Sequence, residues 1–245
     1  RAESNLALIY PDWPAEKRKA VLKDICENIG RTAGEFAHLK ALSEGNDGAR
    51  VSIIGAERLP LDDAPPAIFV SSHAANWEVI PATFHKLGVK NAFVYRAANN
   101  PLTDEFIIRH RASVMSRRQI PKGKRGGRAL VDNLKAGRSL MMLVDQKLNS
   151  GIEAPFMGRP AMTAPAAARL SLKYGVPIVP VTLVRLKGAT FRMTIEEPLP
   201  FSPSSDLNAD VHALTAKIND KLSADIHAQP GQWLWFHRRW PTSST

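Results

Sequence analysis

The chain has 245 residues, 44% hydrophobic and 23% charged, enough to bury a good core as one domain or one domain with an appendage. Lys and Arg outnumber Asp and Glu by 33 to 23, and this +10 balance favours an anionic partner: nucleic acid, a phosphorylated lipid or an acidic protein. A single cysteine, Cys26, excludes an internal disulfide and any CxxC metal motif, and no apolar run reaches the roughly eighteen residues of a bilayer span or reads as a signal peptide.

Asp12-Trp13-Pro14 reads as a helix entry, and Val21, Leu22, Ile25, Ile29, Ala33 and Phe36 then recur at helical spacing. This predicts a long amphipathic helix with a break near Gly30 or Gly34. Its outer face carries Lys17, Arg18, Lys19 and Lys23, a stripe open to two readings, a solvated surface or a membrane-facing one. Residues 45–48 read as a turn, and Val51–Ile54 as a short strand before a loop rich in proline and aspartate.

The stretch 67–81, AIFVSSHAANWEVIP, organises the chain. Ile68-Phe69-Val70 has the content of a buried strand and stops at two serines, a histidine and a helix start, so the chemistry sits at a strand's carboxyl end, where ligands collect in open α/β sheets. His73 and Glu78 are five residues apart, a spacing that separates them on one helix. They meet only if His73 lies in the turn and Glu78 in the first helical turn. A histidine held by a carboxylate is fixed in one tautomer and can take a proton from a hydroxyl. Spacing alone leaves a structural histidine as the commoner account. Asn76 reads as a cap or a substrate contact, and Trp77 as packing.

Residues 92–95 form another short strand, ending at Arg96, whose guanidinium suits a phosphate or carboxylate or else a structural ion pair. A helix over about 102–115 carries Arg109 and Arg111. The segment holding Lys122, Gly123, Lys124, Arg125, Gly126, Gly127 and Arg128 fits neither the GK[ST] loop nor GxGxxG, and reads as a mobile cationic loop. Leu130, Val131 and Leu134 mark a helix closed by Gly137 before a buried strand, 140–144, tipped by Asp145 and Gln146. The acid there pairs with an arginine of the site or caps a loop. Thr163 is expected to cap the helix that runs to Lys173, and residues 178–184 and 191–195 to form a hairpin across Lys187-Gly188. Val211, Leu214, Ile218, Leu222 and Ile226 stripe a last long helix, and the chain closes with WLWFHRRW at 233–240. Those tryptophans suit either a lipid–water boundary or packing against the core.

The SHAANWE string resembles the His-x4-Glu block of the late acyltransferases of lipid A biosynthesis, related to glycerolipid acyltransferases with a His-x4-Asp block. YRAANNP at 95–101, VDQ at 144–146, Phe156-Met157-Gly158 with Thr163, and the Trp-x-Trp-x-His-x-Arg-Trp ending extend the likeness over most of the chain. Ser72 stands where members often have glycine, a minor departure at a turn.

Alternating strands and helices imply an α/β fold with a mixed, mostly parallel central sheet flanked by helices, glycerolipid-acyltransferase-like once the resemblance is added. One domain over 1–245 is expected, with 1–45 a helical N-terminal portion that faces the membrane on the sharper reading. The resemblance implies fatty acyl transfer from an acyl carrier protein thioester to a hydroxyl of a lipid A precursor, at the cytoplasmic face of a bacterial inner membrane. It also implies a membrane-anchoring segment ahead of Arg1, so the chain is expected to be a truncated or processed piece. His73 is assigned as base and Glu78 as its orienter. Arg111 or Arg96 would stabilise the oxyanion or hold a phosphate, with Asn76, Asp145, Gln146 and Arg128 as further substrate contacts. No metal or cofactor is implied beyond the acyl co-substrate, and no nucleic-acid motif appears. Acyl-CoA-dependent transfer to a phosphatidylinositol mannoside is the alternative within the resemblance, and a non-catalytic lipid-binding or nucleic-acid-binding protein the alternative outside it.

Overall fold

A computed structural model describes residues 1–44, 50–61 and 64–241, with the backbone alone at Glu44, Lys124 and Arg125. The expected turn at 45–48 and part of the proline- and aspartate-rich loop lie outside the described residues. Nine strands are described: β1 (Val51–Ile54), β2 (Ile68–Ser71), β3 (Asn91–Tyr95), β4 (Gln119–Pro121), β5 (Ser139–Leu143), β6 (Lys147–Phe156), β7 (Arg159–Thr163), β8 (Ile178–Arg185) and β9 (Phe191–Ile195). The helices are α1 (Ala2–Ile9), α2 (Ala15–Phe36), α3 (Leu39–Glu44), α4 (Val79–Lys86), α5 (Pro101–Ala112), α6 (Lys124–Lys135), α7 (Ala166–Tyr174) and α8 (Leu207–Ala228).

Seven strands form the central sheet in the order β1-β9-β8-β2-β5-β3-β4. From β8 to β4 all neighbours are parallel, while β9 turns back antiparallel on β8 and β1 follows it. This is the mixed, mostly parallel sheet that the alternation of elements predicts, and the β8–β9 hairpin falls where expected. Alternate residues feed two cores, as the period of two in a strand dictates. Ile68, Val70, Leu140 and Met142 pack on the side of α7, α8 and the C-terminal tryptophans, whereas Phe69, Met141 and Phe93 pack against Val79, Ile80 and Phe84 of α4.

β2 and β5 are neighbours, with Ser71 opposite Leu143. The chain leaving β2 turns to α4 on one face and onward to β3, and the chain leaving β5 crosses through β6, β7 and α7 on the other face to β8. Adjacent strands whose connections diverge leave a crevice at their carboxyl ends. His73 and Asp145 are the residues at that crevice.

Several local readings change. α2 runs unbroken through Gly30 and Gly34, although each glycine costs about 1 kcal/mol relative to alanine. The helix is held by docking instead, and its buried face holds Asn28 and Thr32 beside Ile25. The basic glycine-rich segment is not a loop, because α6 begins at Lys124. Gly126 lets that helix start against β4, since a Cβ there would lie 1.9 Å from the Pro121 carbonyl oxygen. Phe156-Met157-Gly158 turns a β6–β7 hairpin that the sequence reading missed, with φ of 51° at Met157 and 74° at Gly158, the pattern of a type I′ turn. Thr163 caps nothing. It ends β7, accepts from Arg239 Nη2 at 2.7 Å, and leaves Pro165 at the head of α7 without a side-chain cap.

The tail's tryptophans are core, not lipid boundary. Trp233, Trp235, Trp240 and Arg239 are all buried, the rings meet one another and Phe156, and Arg239 lies over the Phe156 ring while donating to Met162 O. The Trp235 indole donates to Pro230 O at 2.7 Å. Trp235→Ala is therefore expected to cost about 3–5 kcal/mol in unfolding free energy, read from urea denaturation. A loss under about 1 kcal/mol would contradict this placement.

Candidate functional site

The turn after β2 is built by one residue in an uncommon conformation. Ala75 has φ of 50°, a left-handed setting that costs a non-glycine residue about 1–2 kcal/mol. It is held from every side. Ala75 N–H donates to Gln232 O at 2.9 Å, and its carbonyl accepts from Asn28 Nδ2 at 3.0 Å and Thr32 Oγ1 at 2.9 Å. His73 O accepts from Leu234 N, and Ala74 pairs with Trp233 as an antiparallel bridge. The tail and α2 together hold the histidine loop.

Within that loop His73 does not meet Glu78. Its Nδ1–H donates to Asp145 Oδ1 at 2.7 Å, and its backbone N–H to Asp145 Oδ2 at 3.0 Å. Glu78 faces away to Arg111, whose Nε and Nη2 donate to its two oxygens at 2.9 and 2.5 Å. The reason is geometric. The left-handed turn at Ala75 aims the imidazole at the neighbouring strand tip, while Glu78, heading α4, turns toward α5. With both carboxylate oxygens used by one guanidinium and Nδ1 used by Asp145, no hydrogen bond joins His73 to Glu78.

Asp145 is 1% exposed. Burial pushes its carboxyl upward, but the His73 charge, the two hydrogen bonds from His73 and the Trp233 indole at 2.7 Å outweigh it and hold the group well below the usual carboxylate range. An ionised Asp145 keeps the proton on Nδ1 and leaves Nε2 as the open lone pair. The Trp77 ring stands edge-on to the imidazole at 5.2 Å, and the Gln146 amide faces Nε2 at 3.4 Å, a contact that an incoming hydroxyl would replace. The arrangement can accept a proton at Nε2 and return it.

The remaining predicted residues divide. Gln146 is at the dyad. Asn76 is fully buried behind it, donating to Glu35 Oε2 at 2.9 Å and accepting from Glu78 N at 3.2 Å, so its amide is spent inside the fold. Arg111 reaches the site, with its guanidinium engaged by Glu78 and close to the Phe93 and Tyr95 rings, not free for a phosphate. Arg96 is exposed in the loop after β3. Arg128 stands 92% exposed on α6, pairing with Asp132 of the same helix at 3.7 Å.

Sequence reasoning gave Asp145 as the partner of a site arginine, a loop cap or a substrate contact, where the structure spends its carboxylate on His73 and Trp233, and it missed three neighbours. Lys122 N–H donates to Tyr95 O. Its ammonium is pulled down mainly by lost hydration and further by Arg96, with Asp145 opposing. His237 accepts from Lys147 N at Nε2, 2.8 Å, fixing the loop that carries Asp145 and Gln146. Behind the turn, Arg185 pairs with Glu35 at 2.5 Å and donates to Asn28 Oδ1 at 2.8 Å. The sequence signals for these were the basic stretch that holds Lys122 and the tryptophan-rich ending that holds His237, while Arg185 at the end of β8 carried none. A polar cavity of about 470 Å³ opens on Asn28, Arg185 and Gln232, and an apolar one of about 280 Å³ lies between Leu172, Leu199, Phe201 and Leu214. Neither is lined by His73.

A family model described as bacterial lipid A biosynthesis acyltransferase matches residues 1–242. The chain is 22% identical over 241 residues to a phosphatidylinositol mannoside acyltransferase of Mycolicibacterium smegmatis, covering 96% of this chain and 77% of that protein. It is 22% identical over 250 residues to a lipid A biosynthesis acyltransferase of Haemophilus influenzae, covering 98% and 76%.

Asp145→Asn places an amide N–H opposite Nδ1, so long-range ¹H–¹⁵N spectra of the imidazole should show His73 protonated at Nε2 instead of Nδ1. An unchanged tautomer would remove Asp145 as orienter. A second expectation concerns pH. Burial depresses His237 below its ordinary value, so below about pH 6.5 the unfolded chain binds a proton that the folded chain resists. The stability from this residue is present above that pH and lost beneath it, and protonation would also break the Lys147 bond. Thermal denaturation should show Tm falling less between neutral and mildly acidic pH in His237→Gln than in wild type. A parallel decline in both would contradict it.

Proposed function

This chain belongs to the bacterial lipid A biosynthesis acyltransferase family and is an acyltransferase, and from that premise we propose that it moves a fatty acyl group from an acyl carrier protein thioester to a hydroxyl of a lipid A precursor. The observation that carries the reading is the His73–Asp145 dyad at the sheet's switch point, with Nδ1 spent on Asp145 and Nε2 facing only the exchangeable Gln146 amide among the described residues. His73 Nε2 takes the hydroxyl proton as the acceptor oxygen attacks the thioester carbonyl. The carbon–sulfur bond then breaks, and the imidazolium returns the proton to the departing thiolate, leaving ester and free thiol. No covalent enzyme intermediate is required, and the dyad has no serine elbow beside it.

Charge fits both substrates. Lys122 interacts with Asp145 of the dyad and Arg96 with Lys122, so the two would hold an acceptor phosphate or meet the acidic carrier protein, and Arg111 keeps to Glu78 as a structural support. Such an acceptor places the enzyme at the cytoplasmic face of a bacterial inner membrane. Among the described residues no helix is long and apolar enough to cross a membrane. The Mycolicibacterium relative supports a second reading, acyl-CoA-dependent transfer to a phosphatidylinositol mannoside.

Mass spectrometry decides between them. Purified protein is offered acyl carrier protein loaded with chains of several lengths plus a lipid A precursor, and in parallel acyl-CoA plus a phosphatidylinositol mannoside. The expected product is the precursor heavier by one acyl group, lost in His73→Ala and slowed about 10³–10⁴-fold in Asp145→Asn. An adduct on the mannoside alone would establish the second reading, and equal transfer by wild type and His73→Ala would end the mechanism.

A further inference from the structure

We propose that the carboxyl-end rim of the sheet, led by the outer face of α5, is a docking surface for an anionic lipid bilayer. The proposal rests on the reading that the acceptor is a phosphorylated membrane lipid, and it names the surface that brings that lipid to His73.

α5 buries none of its residues. Among the described residues its Leu102 and Phe106 are the most exposed large hydrophobic side chains, at 77% and 66%. They lie one turn apart, and Arg109, its side chain 77% exposed and paired with Glu105 of the same helix, continues the same stripe at the i+7 position. The opposite face belongs to the site, because Arg111 reaches inward to Glu78 and Ile108 packs against the core. α5 starts where β3 ends, so Leu102 stands at the end of the sheet where His73 and Asp145 lie. In the C-terminal tail Phe236 is also exposed, next to the His237 that holds the Lys147 loop. Arg96 and Lys122 follow the ends of β3 and β4 on the same rim, and the Lys122 ammonium interacts with both Asp145 and Arg96.

Large apolar side chains on the same helix face as a cation, with further cations on the same rim, match the boundary of an anionic bilayer: the apolar groups enter the acyl layer and the cations remain among the headgroups. A carrier-protein interface would need the cations and not Leu102 or Phe106. By contrast α2, the expected membrane-facing helix, exposes lysines and arginines without any large exposed apolar residue among them. A bilayer seated on α5 would place lipid hydroxyls at the height of the crevice, so the acceptor need not leave the membrane.

The test is vesicle sedimentation. Wild-type protein should bind vesicles of mixed phosphatidylglycerol and phosphatidylcholine, bind pure phosphatidylcholine weakly, and lose the difference at high salt. The Leu102→Ser/Phe106→Ser double variant, both positions being solvent-exposed, should fold as wild type by circular dichroism and bind the anionic vesicles at least about tenfold more weakly. It should still acylate an acceptor dispersed in detergent micelles. Wild type that acylates micellar acceptor while both proteins sediment equally with vesicles would overturn the surface and leave acyl transfer standing. Weakened vesicle binding by the variant, with no acylation of any micellar acceptor by wild type, would retain the surface and overturn the substrate reading. Sedimentation that responds to charge reversal on α2 and not to the double variant would transfer the surface to α2 and end this proposal.

Discussion

The site depends on one buried carboxylate. Asp145 has lost nearly all contact with water, and taking such an ion out of water costs several kcal/mol unless donors replace the hydration. The replacements are the imidazole of His73, the backbone of His73 and the indole of Trp233. Those donors come from positions 73 and 233, and the acceptor from 145, so the strand β2 turn, the β5 tip and the C-terminal tail must all be in place before the charge is tolerated. The dyad is therefore a product of the finished fold, and the same three bonds that ionise Asp145 fix which nitrogen of His73 is free.

The histidine loop needs a second support because its conformation is not one that alanine prefers. The left-handed setting of Ala75 persists because its amide and carbonyl are both engaged, by Gln232 on one side and by Asn28 and Thr32 on the other. Asn28 is itself oriented by Arg185, whose charge is matched by Glu35, and Glu35 also receives Asn76. α2 is thus fastened by polar bonds in addition to its hydrophobic stripe of Val21, Leu22, Ile25 and Ile29. Polar bonding of this kind has directional geometry, and it sets the angle at which the chain passes from His73 to Glu78. A purely apolar contact would have left that angle free to drift.

How much of this was legible follows from the range of each interaction. β2, β5 and the β8–β9 hairpin announce themselves in runs of buried side chains. These are local patterns. The partner of His73 was not local. Spacing tied it to Glu78 because that carboxylate is near in sequence, while the adjacency of β2 and β5 is a property of strand order that no short window contains. The tryptophans stayed undecided for a related reason: composition permits both a lipid boundary and a core, and only the packing of α8 and the β6–β7 hairpin over the tail decides for the core. Lys122 and Arg128 belong to one basic stretch, yet the end of β4 puts the first beside the site and the turn of α6 sends the second to solvent.

Glu78 still matters to the site, by a different route than the one its spacing suggests. α5 has no buried residue of its own, so little hydrophobic burial fixes it. Its attachments are polar: His110 Nε2 donates to Phe36 O at 2.6 Å, the Gln119 amide donates to Ile108 O at 3.1 Å, and Arg111 makes the two-pronged bond to Glu78. Breaking a buried pair by removing one partner typically costs about 3–5 kcal/mol, because the other charge is left uncompensated. The carboxylate five residues beyond His73 therefore ties the helix that carries Leu102 and Phe106 to the turn that carries the base. The His-x4-Glu spacing then has a physical meaning independent of proton transfer. It fixes the distance between the group that does the chemistry and the outermost helix of the rim, and an inserted or deleted residue between them would shift that helix relative to the imidazole without touching the dyad itself.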